Sequence, residues 1–148
     1  MRVDVTTSIV IARPRRDVFA YAADLDRTTS WYRNITSVRW VTAKPLTIGS
    51  RVRFTARFLG RELTYTYAVT DLIEDERLVM STREGAFPME TTYRWETAGE
   101  GATRMTLRNR GEPSGFANVA TPLMVRAMRR ANRKDLETLK QRLEASPG

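Results

Sequence analysis

The sequence predicts an α+β fold: a curved antiparallel sheet of about seven strands wrapped around a long C-terminal helix, with two short helices after the first strand. Three observations carry this. Apolar and polar residues alternate from Val3 to Ile11, and again in run after run from Ile35 to about Asn109. Turn-forming residues interrupt those runs at short intervals, so neighbouring strands are joined too closely for anything but antiparallel pairing. From about Thr121 to Glu144 the apolar period becomes three and four residues, which is the helical one.

In the first strand Val3, Val5, Thr7, Ile9 and Ile11 share a face, and Arg13-Pro14 ends it. Pro14 suits the first turn of a helix and Asp17 its positive end, with Val18, Phe19 and Ala22 as a short apolar stripe. A second short helix or turn follows Asp24, over Leu25–Trp31. Val38 and Trp40 then share one face of a strand, and Ile48-Gly49-Ser50 marks a turn. Val52, Phe54, Ala56 and Phe58 line the inner face of the next strand. After Gly60-Arg61 come Leu63, Tyr65, Tyr67 and Val69 on the inner face of another. Asp71–Arg77 holds an acidic bend, Leu78-Val79-Met80 opens a further strand, and Gly85 to Pro88 breaks it. Met89, Thr91, Tyr93 and Trp95 alternate with polar residues up to the hairpin turn Ala98-Gly99-Glu100-Gly101. Thr103, Met105, Leu107 and Asn109 line the last strand, and Gly111–Gly115 is a loop. In the final helix Thr121 is placed as N-cap and Pro122 at the first position. Met124, Ala127, Met128, Ala131, Leu136, Leu139 and Leu143 make its apolar stripe, and Arg126, Arg129, Arg130 and Arg133 its wet side. A sheet that curls around one helix closes at its ends before its middle, which favours a pocket between them.

A chain of 148 residues suits one domain spanning 1–148, and 41% hydrophobic with 28% charged residues is an ordinary globular composition. It contains neither cysteine nor histidine. Disulfides, thiol nucleophiles, Ser–His–Asp triads and Cys- or His-based metal sites are therefore excluded, and no metal or cofactor is expected. The N-terminal stretch lacks the basic-then-apolar pattern of a signal peptide, and no apolar run approaches the roughly 20 residues of a membrane span. A cytoplasmic chain without transmembrane association is expected; monomer and homodimer both remain open.

The net charge is +8, and all but Lys44, Lys134 and Lys140 of the basic residues are arginines. Strand parity puts Arg39, Arg51, Arg53, Arg57, Arg94, Arg104, Arg108 and Arg110 on the outer sheet face. An acidic partner is one reading of that face and a solvated surface the other. The aromatic residues have the inward parity instead, which argues against nucleic acid.

The inward set is Trp40, Phe54, Phe58, Tyr65, Tyr67, Met80, Met89, Tyr93, Trp95, Met105 and Leu107, with Met124 and Met128 from the helix. Any one could simply fill a core. Together they suggest a cavity, because buried Tyr and Trp need partners for their polar tips and Met adapts to irregular contacts. Phe87 and Phe116 sit in or near loops and are placed at the pocket mouth. Trp31, beside Tyr32, is either a rim residue or a plug. Asn109 has inward parity and either anchors a ligand or caps its strand. Arg83 could bind an oxyanion if it pointed inward, but its solvated reading is preferred.

The chain resembles the SRPBCC superfamily (START-like, helix-grip fold), most closely its polyketide cyclase/dehydratase-like branch. The residues that carry the resemblance are Ser8-Ile9-Val10-Ile11-Ala12-Arg13-Pro14 with Val18-Phe19, Asp24 before Trp31, Gly49-Ser50, and Asp135-Leu136-Glu137-Thr138-Leu139-Lys140. The resemblance implies the helix-grip architecture and an internal cavity for a small hydrophobic or amphipathic ligand, lipid- or polyketide-like. It leaves open a binding protein or a cofactor-free cyclase/dehydratase. Lacking the usual catalytic side chains, the sequence leans towards binding, and no catalytic residue is assigned.

Overall fold

The computed structural model describes residues 2–58, 60–85, 87–113 and 121–145; the side chain of Phe58 and all of Phe116 lie outside that description. The chain runs β1 (Val3–Ile11), α1 (Arg15–Ala22), a 3-10 turn (Leu25–Arg27), α2 (Thr28–Trp31), β2 (Ile35–Trp40), β3 (Arg51–Phe58), β4 (Arg61–Ile73), β5 (Arg77–Thr82), β6 (Met89–Thr97), β7 (Thr103–Gly111) and α3 (Thr121–Ala145). The strands form one sheet in the order β1-β7-β6-β5-β4-β3-β2. Each neighbour pair is antiparallel. Strands β2 to β7 are a meander, and β1 returns to pair with β7. The α+β, helix-grip expectation is met: α3 lies against β1 and touches α1 and α2.

Local chemistry explains the joints. Pro14 stands as N-cap of α1 with extended backbone, and the Asp24 side chain accepts from the Asp26 amide at 3.2 Å to start the 3-10 turn. The side chain of Arg13 reaches the Leu143 carbonyl at 2.8 Å, and Glu144 accepts from the Ala12 amide at 2.8 Å. These bonds tie the last turn of α3 to the exit of β1.

Register fixes what faces α3. Ile9, Met105 and Trp95 lie side by side across β1, β7 and β6, as do Thr7, Leu107 and Tyr93, then Val5, Asn109 and Thr91. Ile11, Val18, Ala22, Leu25, Trp31, Trp95, Met105, Leu107, Leu136, Leu139 and Leu143 build the main core. Val3, Val5 and Phe87 form a second, smaller cluster, against which Met89, Met124, Val125 and Met128 pack.

Two details depart from strict alternation. A bulge between Val69 and Asp71 inserts one residue into β4, so Leu72, not Asp71, returns to the inner face opposite Leu78. The acidic bend is thereby shorter than the sequence suggests, because β4 runs on to Ile73. Leu63, expected inside, is 37% exposed, since it sits near the tip of the β3–β4 hairpin. Arg39, Arg51, Arg53, Arg57, Arg94, Arg104 and Arg110 are exposed on the outer face and Arg108 is half-exposed. Pairs Arg108–Asp4 at 2.6 Å and Arg110–Glu90 at 3.1 Å use part of that charge. Arg83 follows β5 and is exposed, which is its solvated reading.

Candidate functional site

The sheet and the middle of α3 do not close on each other. They enclose a cavity of about 210 Å³. Phe54, Ala56, Tyr65, Tyr67 and Met80 form its wall on β3, β4 and β5. Thr91, Tyr93 and Asn109 come from β6 and β7, and Ala131, Asn132 and Asp135 from α3. Thr28 and Tyr32 enter from α2 and its end, followed by Asn34 and Ile35. Gly85 serves this wall: its φ is +87°, and an added Cβ would lie 2.3 Å from the Tyr65 ring. Only glycine lets the backbone pass so close to that phenol.

The polar groups are organised. The Asn132 amide donates to Asn109 Oδ1 at 2.6 Å, and Asn109 Nδ2 donates to Thr91 Oγ1 at 2.9 Å. Thr91 and Tyr67 line the same wall. The Tyr32 and Tyr93 hydroxyls stand 2.5 Å apart. Two hydroxyls sharing one hydrogen bond leave one proton to offer to a third group. Burial raises both of their pKa values, so each phenol is a neutral donor at ordinary pH. The Thr28 hydroxyl is buried on the same wall and has no partner among the described residues.

Among the described residues Asp135 is the one carboxylate on this wall, with 3% of its surface exposed. Its Oδ1 accepts from the Arg33 amide at 3.0 Å. Burial raises its carboxyl to about 6, and the hydrogen bond and charge of Arg33 only partly oppose that. Near neutrality the group can therefore hold or release a proton beside two phenols. Among the described residues no arginine side chain lines the cavity.

Of the residues singled out in the sequence, Phe54, Tyr65, Tyr67, Met80, Tyr93 and Asn109 meet at this cavity. Trp31, Trp95, Met105 and Leu107 instead lie in packed core. Trp31 is 1% exposed and stacks on Tyr32 with ring centroids 4.3 Å apart, so it is the plug and Tyr32 the cavity residue. Trp40 is half-buried and directs Nε1 to Asp26 Oδ1 at 2.9 Å. Phe87, Met89, Met124 and Met128 belong to the second cluster beyond the Asn109 row. Phe87 is held there by Gly111, where an added Cβ would meet its ring at 2.6 Å, and so does not stand at the mouth. Phe58 and Phe116 fall outside the described side chains.

Sequence alone does not single out Thr28, Asn132 or Asp135 as site residues, while Tyr32 belongs to the Trp31-Tyr32 segment expected at the rim or as a plug. Asn132 and Asp135 are separated by three residues on α3, which puts them on one face, and Leu136 shows that this face is buried. That spacing was the available signal. Among the described residues no group of three Asp or Glu could hold a metal ion, and no helix is long and apolar enough to cross a membrane.

The comparisons agree with this architecture. No curated protein matches the sequence. TTHA0849 from Thermus thermophilus is 21% identical, with a TM-score of 0.83 over 98% of this chain and 99% of that one. The Zhui aromatase/cyclase from Streptomyces sp. R1128 is 18% identical, with a TM-score of 0.79 over 97% and 94%. A START superfamily protein from Mycobacterium smegmatis is 15% identical, with a TM-score of 0.82 over 95% and 97%. At such identities the likeness concerns the fold. The sequence model that matches residues 2–144 is that of polyketide cyclase / dehydrase and lipid transport proteins, and the chain belongs to that family.

Proposed function

We propose that the protein binds a small amphipathic molecule, one or two rings in size, in the cavity between the sheet and α3. The observation that carries this is a hollow lined at once by apolar walls and by polar side chains, the Tyr32–Tyr93 hydroxyl pair, Asn109, Asn132 and Asp135. A core built only for stability would fill that volume and omit the polar groups, because partly satisfied polar groups in a low dielectric are costly. The size follows from volume. An engineered apolar cavity of about 150 Å³ holds benzene, and drug-sized ligands need roughly 300 Å³ or more. At about 210 Å³ the cavity suits a body of roughly ten heavy atoms. Its rings would lie against Phe54 and Met80. A carbonyl or hydroxyl would turn towards Tyr32 and Tyr93.

Calorimetric titration with 2-naphthol, cyclohexanol and dodecanol tests the reading. 2-Naphthol should bind most tightly, and Ala131→Trp, which fills the hollow from α3, should abolish the heat. Equal binding to wild type and Ala131→Trp would refute it.

One observation favours a second reading, that of a cyclase or dehydratase. Asp135, with its carboxyl raised to about 6, lies on the cavity wall with the Tyr32–Tyr93 pair. In its ionised form it could accept a proton from carbon next to a carbonyl, while the phenols hydrogen-bond the oxygen that gains charge. Asp135→Asn should then retain ligand affinity and lose turnover of a β-polyketone. An unchanged product profile would leave the binding reading alone in possession.

A further inference from the structure

We infer that the ligand of this cavity carries an anionic group, seated outside the cavity on a groove of four cations along α3. The inference rests on the binding reading above and adds the charge of the molecule bound.

The groove has a volume of about 500 Å³ and runs between α3 and the segment that follows α2. Arg126, Arg130 and Lys134 recur every four residues along one stripe of α3, and Arg33 faces them from the other side. Among the described residues no carboxylate lines it. None of the four takes part in an ion pair among the described residues, and the residues outside the description include no Asp or Glu. On the outer sheet face Arg77, Arg108 and Arg110 pair with Asp71, Asp4 and Glu90, while Arg94 and Arg104 make no ion pair among the described residues, so the groove is set apart by its place beside the cavity. Like charges stacked along a helix repel, and this stripe has no carboxylate along the groove among the described residues.

Groove and cavity adjoin, because Asn34 and Ala131 border both. The nearest acids do not cancel the field of the groove. Asp135 lines the cavity and, with Glu137, the neighbouring cleft that Arg33 and Lys134 also touch, so these acids act on the Arg33 end, while no carboxylate borders the groove at Arg126 and Arg130 among the described residues. Leu123, 72% exposed, adds an apolar contact at the outer end. An apolar body inside and a carboxylate or phosphate outside match this sequence of environments. Exposed arginines provide bidentate, charge-assisted hydrogen bonds to such a head.

The test uses the full chain and matched pairs of probes: 2-naphthylalkanoates with one to four methylenes and the corresponding 2-naphthylalkanols. Affinities are read by titration calorimetry at low and high salt. At least one acid should bind about tenfold more tightly than its alcohol at low salt, and the advantage should shrink with added salt. The double variant Arg126→Gln/Arg130→Gln should remove it. Arg94→Gln/Arg104→Gln, with the same change of net charge on the outer sheet face, should keep it. If alcohols bind and no acid binds better, the anion inference fails and the cavity reading stands. If the preference survives Arg126→Gln/Arg130→Gln, the head lies elsewhere and the inference fails. If neither acids nor alcohols bind, both fail.

Discussion

Along the seam between sheet and α3, adjacent rows of side chains meet burial in opposite ways. Ile9, Met105 and Trp95 lie opposite one another, and the α3 residues Leu139 and Leu143 join the same core, fully or almost fully buried. Two rows along, Val5, Asn109, Thr91 and Met80 stand opposite one another, and α3 offers Ala131, Asn132 and Asp135. The same sheet and the same helix therefore make a dry end and a hollow, polar end. Backbone curvature opens the space, but the side chains decide its fate. At the dry end large residues consume it. At the polar end Ala56, Ala131 and Thr91 are too short to do so, and the Asn132–Asn109–Thr91 bonds hold the walls where they are. Stability is thus concentrated at one end and recognition at the other.

The largest effect should come from the dry end. Leu139 is fully buried, so Leu139→Ala removes its contacts and leaves a void, at a cost of about 3 kcal/mol in urea unfolding. Binding of 2-naphthol by the folded variant should change little. A cost under about 1 kcal/mol would mean that this end relaxes as readily as the cavity end, and the contrast would collapse.

Parity makes the strand side of this contrast legible. β6 and β7 are paired on both sides without bulges, so every second residue keeps its face, and the inward parity of Tyr93 and Asn109 is the one the sequence predicts. β4 is harder to read, because the bulge after Val69 resets the alternation and nothing in the residue types announces it. On the helix side hydropathy follows Leu136, Leu139 and Leu143 and discards Asn132 and Asp135 as solvated. Their burial depends on a cavity wall opposite them, which is a tertiary fact. Trp31 and Tyr32 show a related limit. They stand at the end of a four-residue helix, too short for a period to tell which of two neighbouring aromatics points inward.

A second effect, at most of similar size, should appear at the polar end with the opposite sign. The Asp135 carboxyl is raised from its unfolded value of 3.8 to about 6. A raised pKa means that the folded state favours the protonated form. The contribution is complete below about pH 4 and is lost as pH rises through about 6. Asp135→Asn keeps an acceptor for the Arg33 amide and abolishes the ionisation. The variant should therefore gain up to about 3 kcal/mol over wild type at pH 8, and the difference should fade towards pH 4. Unfolding free energies measured from pH 4 to 8 decide this. A pH-independent difference would mean that the carboxylate is solvated through the cavity.

The smallest effect distinguishes whether the polar end is built as rigid structure or as an adaptable surface. Tyr32→Phe removes one hydroxyl and keeps the ring against Trp31. Tyr93 then loses its 2.5 Å partner, but its hydroxyl still faces a space large enough for water. Removing one partner of a buried hydrogen bond costs the other group its desolvation unless water takes the vacant place. With water available the loss should be about 1 kcal/mol, well below that of Leu139→Ala. The affinity for 2-naphthol should fall by a few-fold, because the shared proton is no longer offered in the same direction. A loss as large as that of Leu139→Ala would make the phenol pair a structural clamp. Stability and recognition would then reside at the same end of the seam, since the hydroxyl that meets the ligand would also be the one holding α2 to the sheet.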